Sequence, residues 1–406
     1  MLFLILFLIG LKCIELRKSL DFLAMSCYKV NMKRYLYDQV YKDLKKKMVF
    51  ITGPRQIGKT FLAKQVMKEF NNPQYLNYDN FDDRKIIQRM SWKINSGLLI
   101  FDEIHKMKNW KMFLKGIYDG RPENQAILVT GSTRLDTFRQ TGESLAGRYF
   151  HLRLNPMSVK ELENFYSPYE AVEKLNLLGG FPEPMLSNSE EDALRWRNQY
   201  YIDLIREDIL EFGKLNEIRN MKMLLELLRG SVGSPLSYSS LAEDIQISPN
   251  TVKRYIQILE NLHIIFLLTP YHKQLARAIR REPKLYFFDT GLIKADKGIK
   301  LENTVAVCLR KYSEYQRDAK GKDISLHYLK TKEGKEVDFA IIVEDELKQI
   351  IEVKLSDSKL SKSLLFFSKQ FPGAEAIQLI HNLRHEQYLN RINMVAAGEW
   401  LLRLGI

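Results

Sequence analysis

The stretch that decides the fold of this 406-residue chain is Gly53-Pro54-Arg55-Gln56-Ile57-Gly58-Lys59-Thr60. It matches the pattern G-x-x-x-x-G-K-[ST] in full, and it stands between an apolar strand at 48–51 and a helical segment at 61–70. In such a loop the glycines let successive backbone N–H groups point at phosphate oxygens, and the following helix adds its partial positive charge. The order of strand, loop and helix argues against a chance glycine-rich turn. We therefore predict that these eight residues, called the phosphate loop below, bind ATP.

Two pairs of polar residues define the expected chemistry at this loop. Lys59 is expected to reach the β- and γ-phosphates, and the Thr60 hydroxyl is expected to hold Mg²⁺. The apolar strand at 98–101 ends in Asp102 and Glu103. Asp102 would bind Mg²⁺ directly or through water, while Glu103 would polarise the attacking water. An Asp-Glu pair alone is often a solvated strand end, but together with the loop it predicts a Mg²⁺-dependent ATPase.

Two further residues are weaker candidates for the same site. The strand at 126–129 runs towards Ser132, which we prefer over Thr130 as a sensor of the γ-phosphate, although a turn-forming serine explains this position equally well. Arg148 is a candidate cation for the transition state, either in its own chain or across a subunit boundary. The second arrangement requires a homo-oligomer. A plain surface arginine is an equal alternative.

The pattern around the loop predicts an α/β domain followed by helices. Five apolar runs alternate with helix-length segments, at 48–51, 75–78, 98–101, 126–129 and 150–154. Strands that alternate with helices indicate a mostly parallel sheet covered on both faces, which makes 32–155 the nucleotide-binding core. Helical patterns then continue to residue 232, interrupted by a turn at 179–182, and are expected to form a helical lid over 156–232.

Composition limits the class of partner. The chain carries 62 Lys and Arg against 49 Asp and Glu, a net charge of +13. This surplus favours a polyanion such as nucleic acid, although a solvated basic surface explains it as well. Cys13, Cys27 and Cys308 lie far apart, which excludes a disulfide framework and a cysteine-based zinc site and favours the reducing cytoplasm.

The first 31 residues are predicted to be an apolar extension outside the core. The apolar run at 2–11 is shorter than the roughly 20 residues that a membrane-spanning helix needs. No basic side chain precedes it, so it makes a poor signal peptide. A start site assigned too early is the favoured explanation and an apolar anchor is the alternative. We do not expect a membrane partner.

A helix-turn-helix is predicted within 233–292, which we assign to a winged helix. Ser248 is a good N-cap and Pro249 suits the first helical position, and apolar residues then follow on one face. The basic residues expected to contact DNA phosphates are Lys253, Arg254, Lys273, Arg277, Arg280, Arg281 and Lys284. The alternative is a winged helix that contacts protein.

A set of acidic residues near the C-terminus resembles the site of a metal-dependent nuclease. Asp338 lies near the start of an apolar strand, and Glu352 and Lys354 project from one face of the next because they are two residues apart. If the hairpin brings them together, the carboxylates would bind a divalent metal that positions a water against a phosphodiester. Glu302 is a fourth candidate. The alternative is a salt-bridged hairpin at a sheet end.

The ordered motifs GPRQIGKT, LLIFDEI, ESLAGR, GGFPEP, KLYFFDTGL, EVDF and IEVK resemble one family over residues 32–406. It is the prokaryotic AAA-like ATPase family whose C-terminal domain of unknown function is related to PD-(D/E)xK nucleases. The resemblance implies a P-loop NTPase core of the additional-strand type, a winged helix, and a smaller α/β restriction-endonuclease-like domain over 293–406. It carries over Lys59, Thr60, Asp102 and Glu103 as nucleotide-site residues, and Asp338, Glu352 and Lys354 as the nuclease-like set.

Two functions from different classes follow. The first is an ATPase whose hydrolysis switches a DNA-associated module, with or without nuclease activity. The second is a nucleotide-gated protein that regulates a partner and cuts nothing. The family's proline is replaced by Val337 before Asp338, which leaves the cutting activity open although it does not affect the expected fold.

Overall fold

The computed structural model describes residues 32–131, 145–210, 215–271, 282–356 and 359–406. Within these ranges the chain is a mixed α/β protein with two large sheets and a helical region between them. This is the fold class that the sequence predicted. None of the helices in the described part of the chain combines the length and apolarity needed to cross a membrane.

The first sheet is parallel throughout, in the order β2-β3-β4-β1-β5. Its elements are α1 (Tyr37–Leu44), β1 (Met48–Thr52), α2 (Lys59–Met67), β2 (Gln74–Asn77), α3 (Phe81–Arg89), β3 (Leu98–Asp102), α4 (Trp110–Gly120), β4 (Ala126–Thr130) and β5 (Tyr149–Arg153). Strand β4 lies between β1 and β3, which confirms the additional-strand arrangement.

Both faces of this sheet are covered, which is why its strands are apolar runs without alternation. In β1, Val49 and Ile51 pack into one hydrophobic cluster, whereas Phe50 packs into a second cluster on the opposite face. Because the strands are parallel, the carboxyl ends of β1 and β3 lie at the same edge of the sheet, on either side of β4. The phosphate loop and Asp102 lie at this edge.

The helical region follows β5 and ends in a small sheet. It contains α5 (Pro168–Leu178), α6 (Pro182–Ser187), α7 (Glu190–Leu210), α8 (Leu215–Leu228), α9 (Tyr238–Ile245), α10 (Pro249–Asn261), β6 (Ile265–Leu268) and β7 (Lys284–Phe287). Ser248 caps α10 by accepting from the backbone N–H of Thr251, with Pro249 in the first turn, as predicted. Strands β6 and β7 pair in antiparallel fashion after the two helices. The winged helix itself stays a prediction.

The C-terminal domain is a mixed sheet in the order β12-β13-β11-β10-β9-β8. Its elements are α11 (Lys297–Lys320), β8 (Ile324–Lys330), β9 (Glu336–Val343), β10 (Glu346–Ser356), α12 (Lys362–Gln370), β11 (Glu375–Asn382), β12 (Gln387–Leu389), β13 (Ile392–Ala396) and α13 (Ala397–Arg403). Strands β8, β9 and β10 are antiparallel neighbours, and β11 is parallel to β10.

Helix α11 joins this domain to the first one. A single hydrophobic cluster extends from Met32 to Leu401 and includes Leu301 and Leu309 of α11. At the surface of this joint, the Arg153 guanidinium on β5 binds Asp318 at 2.7 Å and Glu314 at 3.2 Å. The two large sheets therefore share one core through α11.

Candidate functional site

The shape of the phosphate loop depends on two glycines. Gly53 has φ +145°, and a Cβ placed on it would lie 2.3 Å from the carbonyl oxygen of Leu154. Gly58 has φ +97° and caps the start of α2. Any other residue at Gly53 would collide with the backbone, and at Gly58 it would be strained. The local sequence therefore forms the predicted loop between β1 and α2.

Lys59 lies within the loop that it is expected to serve. Its side chain is buried, and its Nζ donates hydrogen bonds to the carbonyl oxygens of Gly53 at 2.9 Å and Pro54 at 2.6 Å. These weak neutral acceptors hold the ammonium at the loop. Phosphate oxygens carry more negative charge and would replace them readily.

Asp102 accepts hydrogen bonds from three hydroxyl groups, one on α2, one on β2 and one at the end of β4. Thr60 Oγ1 donates to Asp102 Oδ2 at 3.2 Å, and Thr130 Oγ1 donates to Oδ1 at 2.6 Å. The Tyr75 hydroxyl also donates to Oδ2. The structure brings Thr60 and Asp102 together as predicted.

The sequence analysis did not foresee the roles of Tyr75 and Thr130. Thr130 was considered only as a phosphate sensor, whereas it orients the Asp102 carboxylate. For Thr130 the signal is topological. Parallel strands end at a common edge, so Thr130, which ends β4, lies beside Asp102, which ends β3. Tyr75 is the second residue of β2 and pairs with Ile100, so the common edge does not indicate it.

Glu103 adopts a backbone conformation that few non-glycine residues adopt. Its φ is +53°, and left-handed backbone at such a residue costs about 1–3 kcal/mol. Its carboxylate lies 4.0 Å from Lys106 Nζ and 3.5 Å from His105 Nε2. Burial and the adjacent Asp102 charge raise its pKa, while Lys59 and Lys106 oppose this shift. A more basic carboxylate accepts a proton from water more readily.

These residues line a cleft of about 930 Å³, to which helix α6 also contributes. Its lining includes the polar side chains of Lys59, Thr60, Asp102 and Glu103 and the apolar side chains of Met32, Phe61, Pro182 and Leu186. The cleft thus offers cationic and oxygen-donor groups to phosphates and an apolar region to a base.

Of the other two candidates, Arg148 does not line this cleft. Arg148 lies before β5, at the end of the sheet opposite the phosphate loop, and forms a bidentate pair with Asp119 at 2.8 and 2.9 Å. The structure therefore does not support a role for Arg148 at the nucleotide of its own chain, and its role across a subunit boundary stays a prediction. Ser132 lies outside the described residues.

The C-terminal carboxylates surround a lysine that the sequence analysis had assigned to DNA binding. Lys284 on β7 is 1% exposed, and its Nζ lies 2.7 Å from Glu336, 3.5 Å from Glu302 and 3.7 Å from Asp338. The Tyr286 hydroxyl donates to Glu302 at 2.8 Å. We call Lys284, Glu302, Glu336 and Asp338 the acidic cluster. A buried ammonium cannot contact DNA, so the assignment of Lys284 to phosphate contacts was wrong.

Glu352 and Lys354 form a separate pair beside the cluster. Lys354 Nζ lies 2.6 Å from Glu352, and Asp338 accepts from the backbone N–H of Val353 at 2.9 Å. Burial and the Asp338 charge raise the pKa of Glu352 to about 7 and that of Glu302 to about 8. Both carboxyls thus hold a proton at a higher pH than an exposed glutamate does.

The predicted metal site at Asp338 and Glu352 stays a prediction. In the part of the chain that the structure describes, no three Asp, Glu, His or Cys side chains are placed to hold a metal ion together. The physical reason is that the carboxylates face lysines, Lys284 on one side and Lys354 on the other. The arrangement corresponds to the salt-bridged alternative.

The predicted DNA-binding residues are described only in part. Lys253 is exposed near the start of α10. Arg254 is 52% exposed and pairs with Glu217 on α8 at 2.8 Å. Arg280 and Arg281, like Lys273 and Arg277, lie outside the described residues.

Comparisons with known proteins find three segments of the chain that match family models. Family models match an AAA domain over residues 45–163, a domain of unknown function (DUF8612) over 169–303 and another (DUF4143) over 297–397. An uncharacterized protein of Mycobacterium tuberculosis is 28% identical, over 62% of this chain and 56% of its own. The chain thus spans little more than half the length of that relative.

Other relatives align over more of their length. An uncharacterized protein of Methanocaldococcus jannaschii is 26% identical over 90% of this chain and 88% of its own. Among solved structures, a RuvB variant of Thermotoga maritima aligns with a TM-score of 0.27 and 16% identity, over 58% of this chain and 89% of that one. The matched AAA segment contains the phosphate loop, Asp102 and Glu103, so residues 45–163 form an AAA-type P-loop domain.

Proposed function

We propose that this chain is a Mg²⁺-dependent ATPase. The observation that carries the proposal is the contact of Thr60 with Asp102, next to Lys59 in one cleft. A hydroxyl and a carboxylate are the hard oxygen donors that Mg²⁺ prefers, so the residues present fit this ion. When bound there, Mg²⁺ would offset the negative charge of the β- and γ-phosphates.

The side chains have separate tasks in this mechanism. The Lys59 ammonium leaves the carbonyl oxygens of Gly53 and Pro54 and binds the β- and γ-phosphates. The Glu103 carboxylate accepts the proton of the water that attacks the γ-phosphate. Because the pKa of Glu103 is raised, the fraction of active carboxylate falls at a higher pH than for an exposed glutamate, and hydrolysis falls with it.

The apolar part of the cleft fits the adenine base. Pro182 and Leu186 belong to α6 of the lid, while Met32 and Phe61 belong to the core. A base seated between them would join the lid to the core.

The proposal includes a cytoplasmic location. The free, buried thiol of Cys308 is consistent with it, because the reducing cytoplasm keeps thiols unpaired.

Replacing Glu103 with glutamine tests the mechanism most directly. Glu103→Gln is expected to bind MgATP as the parent does, because the amide has nearly the same shape. It is expected to turn ATP over about 10²–10⁴-fold more slowly, since it cannot accept the proton. Calorimetric binding and phosphate release measure the two effects.

The matched control is Glu123→Gln, the same change at an exposed glutamate before β4. It should leave both quantities unchanged. Equal turnover in Glu103→Gln and Glu123→Gln would assign the base to another residue.

We also propose that the helix-turn-helix associates with DNA, and that ATP hydrolysis changes this association. The observation that favours it is the exposed Lys253 near the capped start of α10, together with the net charge of +13. The alternative is a nucleotide-gated regulator in which α10 contacts protein.

Salt dependence separates the two alternatives. If α10 contacts phosphates, Lys253→Glu should weaken binding to any duplex and lower the slope of log K against log[salt] by about 1, because one fewer counterion is released. Fluorescence anisotropy with two unrelated duplexes measures this. Lys369→Glu, at an exposed lysine of α12, is the control. Equal binding by the parent and both variants would move any DNA contact away from α10.

A further inference from the structure

The acidic cluster already contains a cation of its own. Lys284 enters from β7, which pairs with β6, while Glu302 enters from α11 and Glu336 from β9. A buried ammonium is costly unless charged partners surround it, and here three carboxylates lie within 3.7 Å of its Nζ. The lysine and the carboxylates therefore depend on each other.

A divalent metal held by the same carboxylates would need the space that Lys284 occupies. Mg²⁺ and Mn²⁺ take carboxylate oxygens at roughly 2.0–2.6 Å, so the ion must lie between its ligands. The Lys284 ammonium lies between Glu302, Glu336 and Asp338. An ion added next to it would meet a like charge in a buried setting where repulsion is weakly screened.

The neighbouring lysines leave little negative charge for an ion. Lys330 Nζ lies 2.8 Å from Glu336, and Lys354 Nζ lies 2.6 Å from Glu352. Three lysines therefore face the four carboxylates of Glu302, Glu336, Asp338 and Glu352. The residues present do not fit a nuclease-type metal.

We propose that Lys284 is the resident cation of the acidic cluster and stands in place of a divalent metal. The cluster then fixes β7 of the helix-turn-helix unit against α11 and β9 and has no metal-dependent cutting activity. This inference is independent of the nucleotide site, since none of its residues lines that cleft.

Manganese binding to the nucleotide-free, full-length protein tests the proposal. Electron paramagnetic resonance counts the bound Mn²⁺ in the parent and in Asp338→Asn, whose amide oxygen can still accept the N–H of Val353. The two proteins should bind the same amount of Mn²⁺. An ion that the parent binds and Asp338→Asn loses would overturn the proposal.

Removing the ammonium should create the metal site. Lys284→Met keeps the unbranched side chain up to the ε position and removes the ammonium, so this variant should gain one Mn²⁺. The gain should vanish in Lys284→Met/Asp338→Asn. Added Mn²⁺ should also raise the Tm of Lys284→Met and not that of the parent, because a ligand of the folded state stabilises it. A folded Lys284→Met protein that gains no ion would overturn the idea that the ammonium fills the metal position. If Lys284→Met does not fold, the parent and Asp338→Asn comparison decides alone.

Discussion

Replacing Lys59 with alanine is expected to lower kcat/KM for ATP by on the order of 10³-fold or more. The side chain is buried, and its ammonium donates to carbonyl oxygens of the phosphate loop. The substitution therefore acts at the phosphate loop and not at the protein surface. Lys59 is the lysine of the phosphate loop, and its ammonium is placed to bind the β- and γ-phosphates. Both binding and hydrolysis should therefore fall.

The matched control is Lys68→Ala, which removes an exposed lysine at the C-terminal end of the same helix. Calorimetric titration with MgATP and steady-state phosphate release should show the parent and Lys68→Ala to be equal. ATP affinity in Lys59→Ala equal to that of the parent would show that the phosphate loop has been assigned wrongly.

The nucleotide site could be predicted because its parts are local in sequence. Strand, loop and helix follow one another within 48–70, and each has its own pattern of apolar residues and glycines. Strand bounds shifted by one residue, as in β2 (Gln74–Asn77), because polar residues at strand ends carry no periodic signal. Tyr75 was missed for a related reason, since a tyrosine near a strand end resembles any half-buried aromatic residue.

The buried ion pairs could not be predicted because charged residues do not indicate their partners. Lys284 belongs to a basic stretch, and its sequence context suggested a surface residue. Only the pairing of β7 with β6, and the docking of α11 beside them, places it among carboxylates. For the same reason, charge and spacing alone could not show whether Asp338 faces a metal or a lysine.

A second buried ion network joins the nucleotide core to the C-terminal domain. Glu161 lies between Arg34, whose Nε is 2.7 Å from Oε1, and Lys311 on α11, whose Nζ contacts Oε2. All three side chains are buried. Arg34 also donates to the carbonyl of Ile57 in the phosphate loop. The network thus connects the nucleotide site to α11.

Glu161→Gln is expected to lower the free energy of unfolding by about 3–5 kcal/mol, since it leaves two buried cations without their counterion. Denaturant-induced unfolding measures the change. Glu163→Gln is a matched control two residues away. Its carboxylate is exposed and pairs with Lys160 at 2.6 Å, and an exposed pair of this kind contributes at most about 1 kcal/mol.

The dependence of the free energy of unfolding on pH provides a second, independent test of the same network. Burial alone would raise the pKa of Glu161, but the charges of Arg34 and Lys311 outweigh it and lower the pKa to about 2. A carboxyl whose pKa is lowered on folding stabilises the protein above its unfolded pKa, and that stability is lost as the pH falls. The parent should therefore lose stability between about pH 5 and pH 2, and Glu161→Gln should lose less over that range than Glu163→Gln. Equal losses in the two variants, together with equal stability at neutral pH, would show that the Glu161 network does not hold α11 to the phosphate loop.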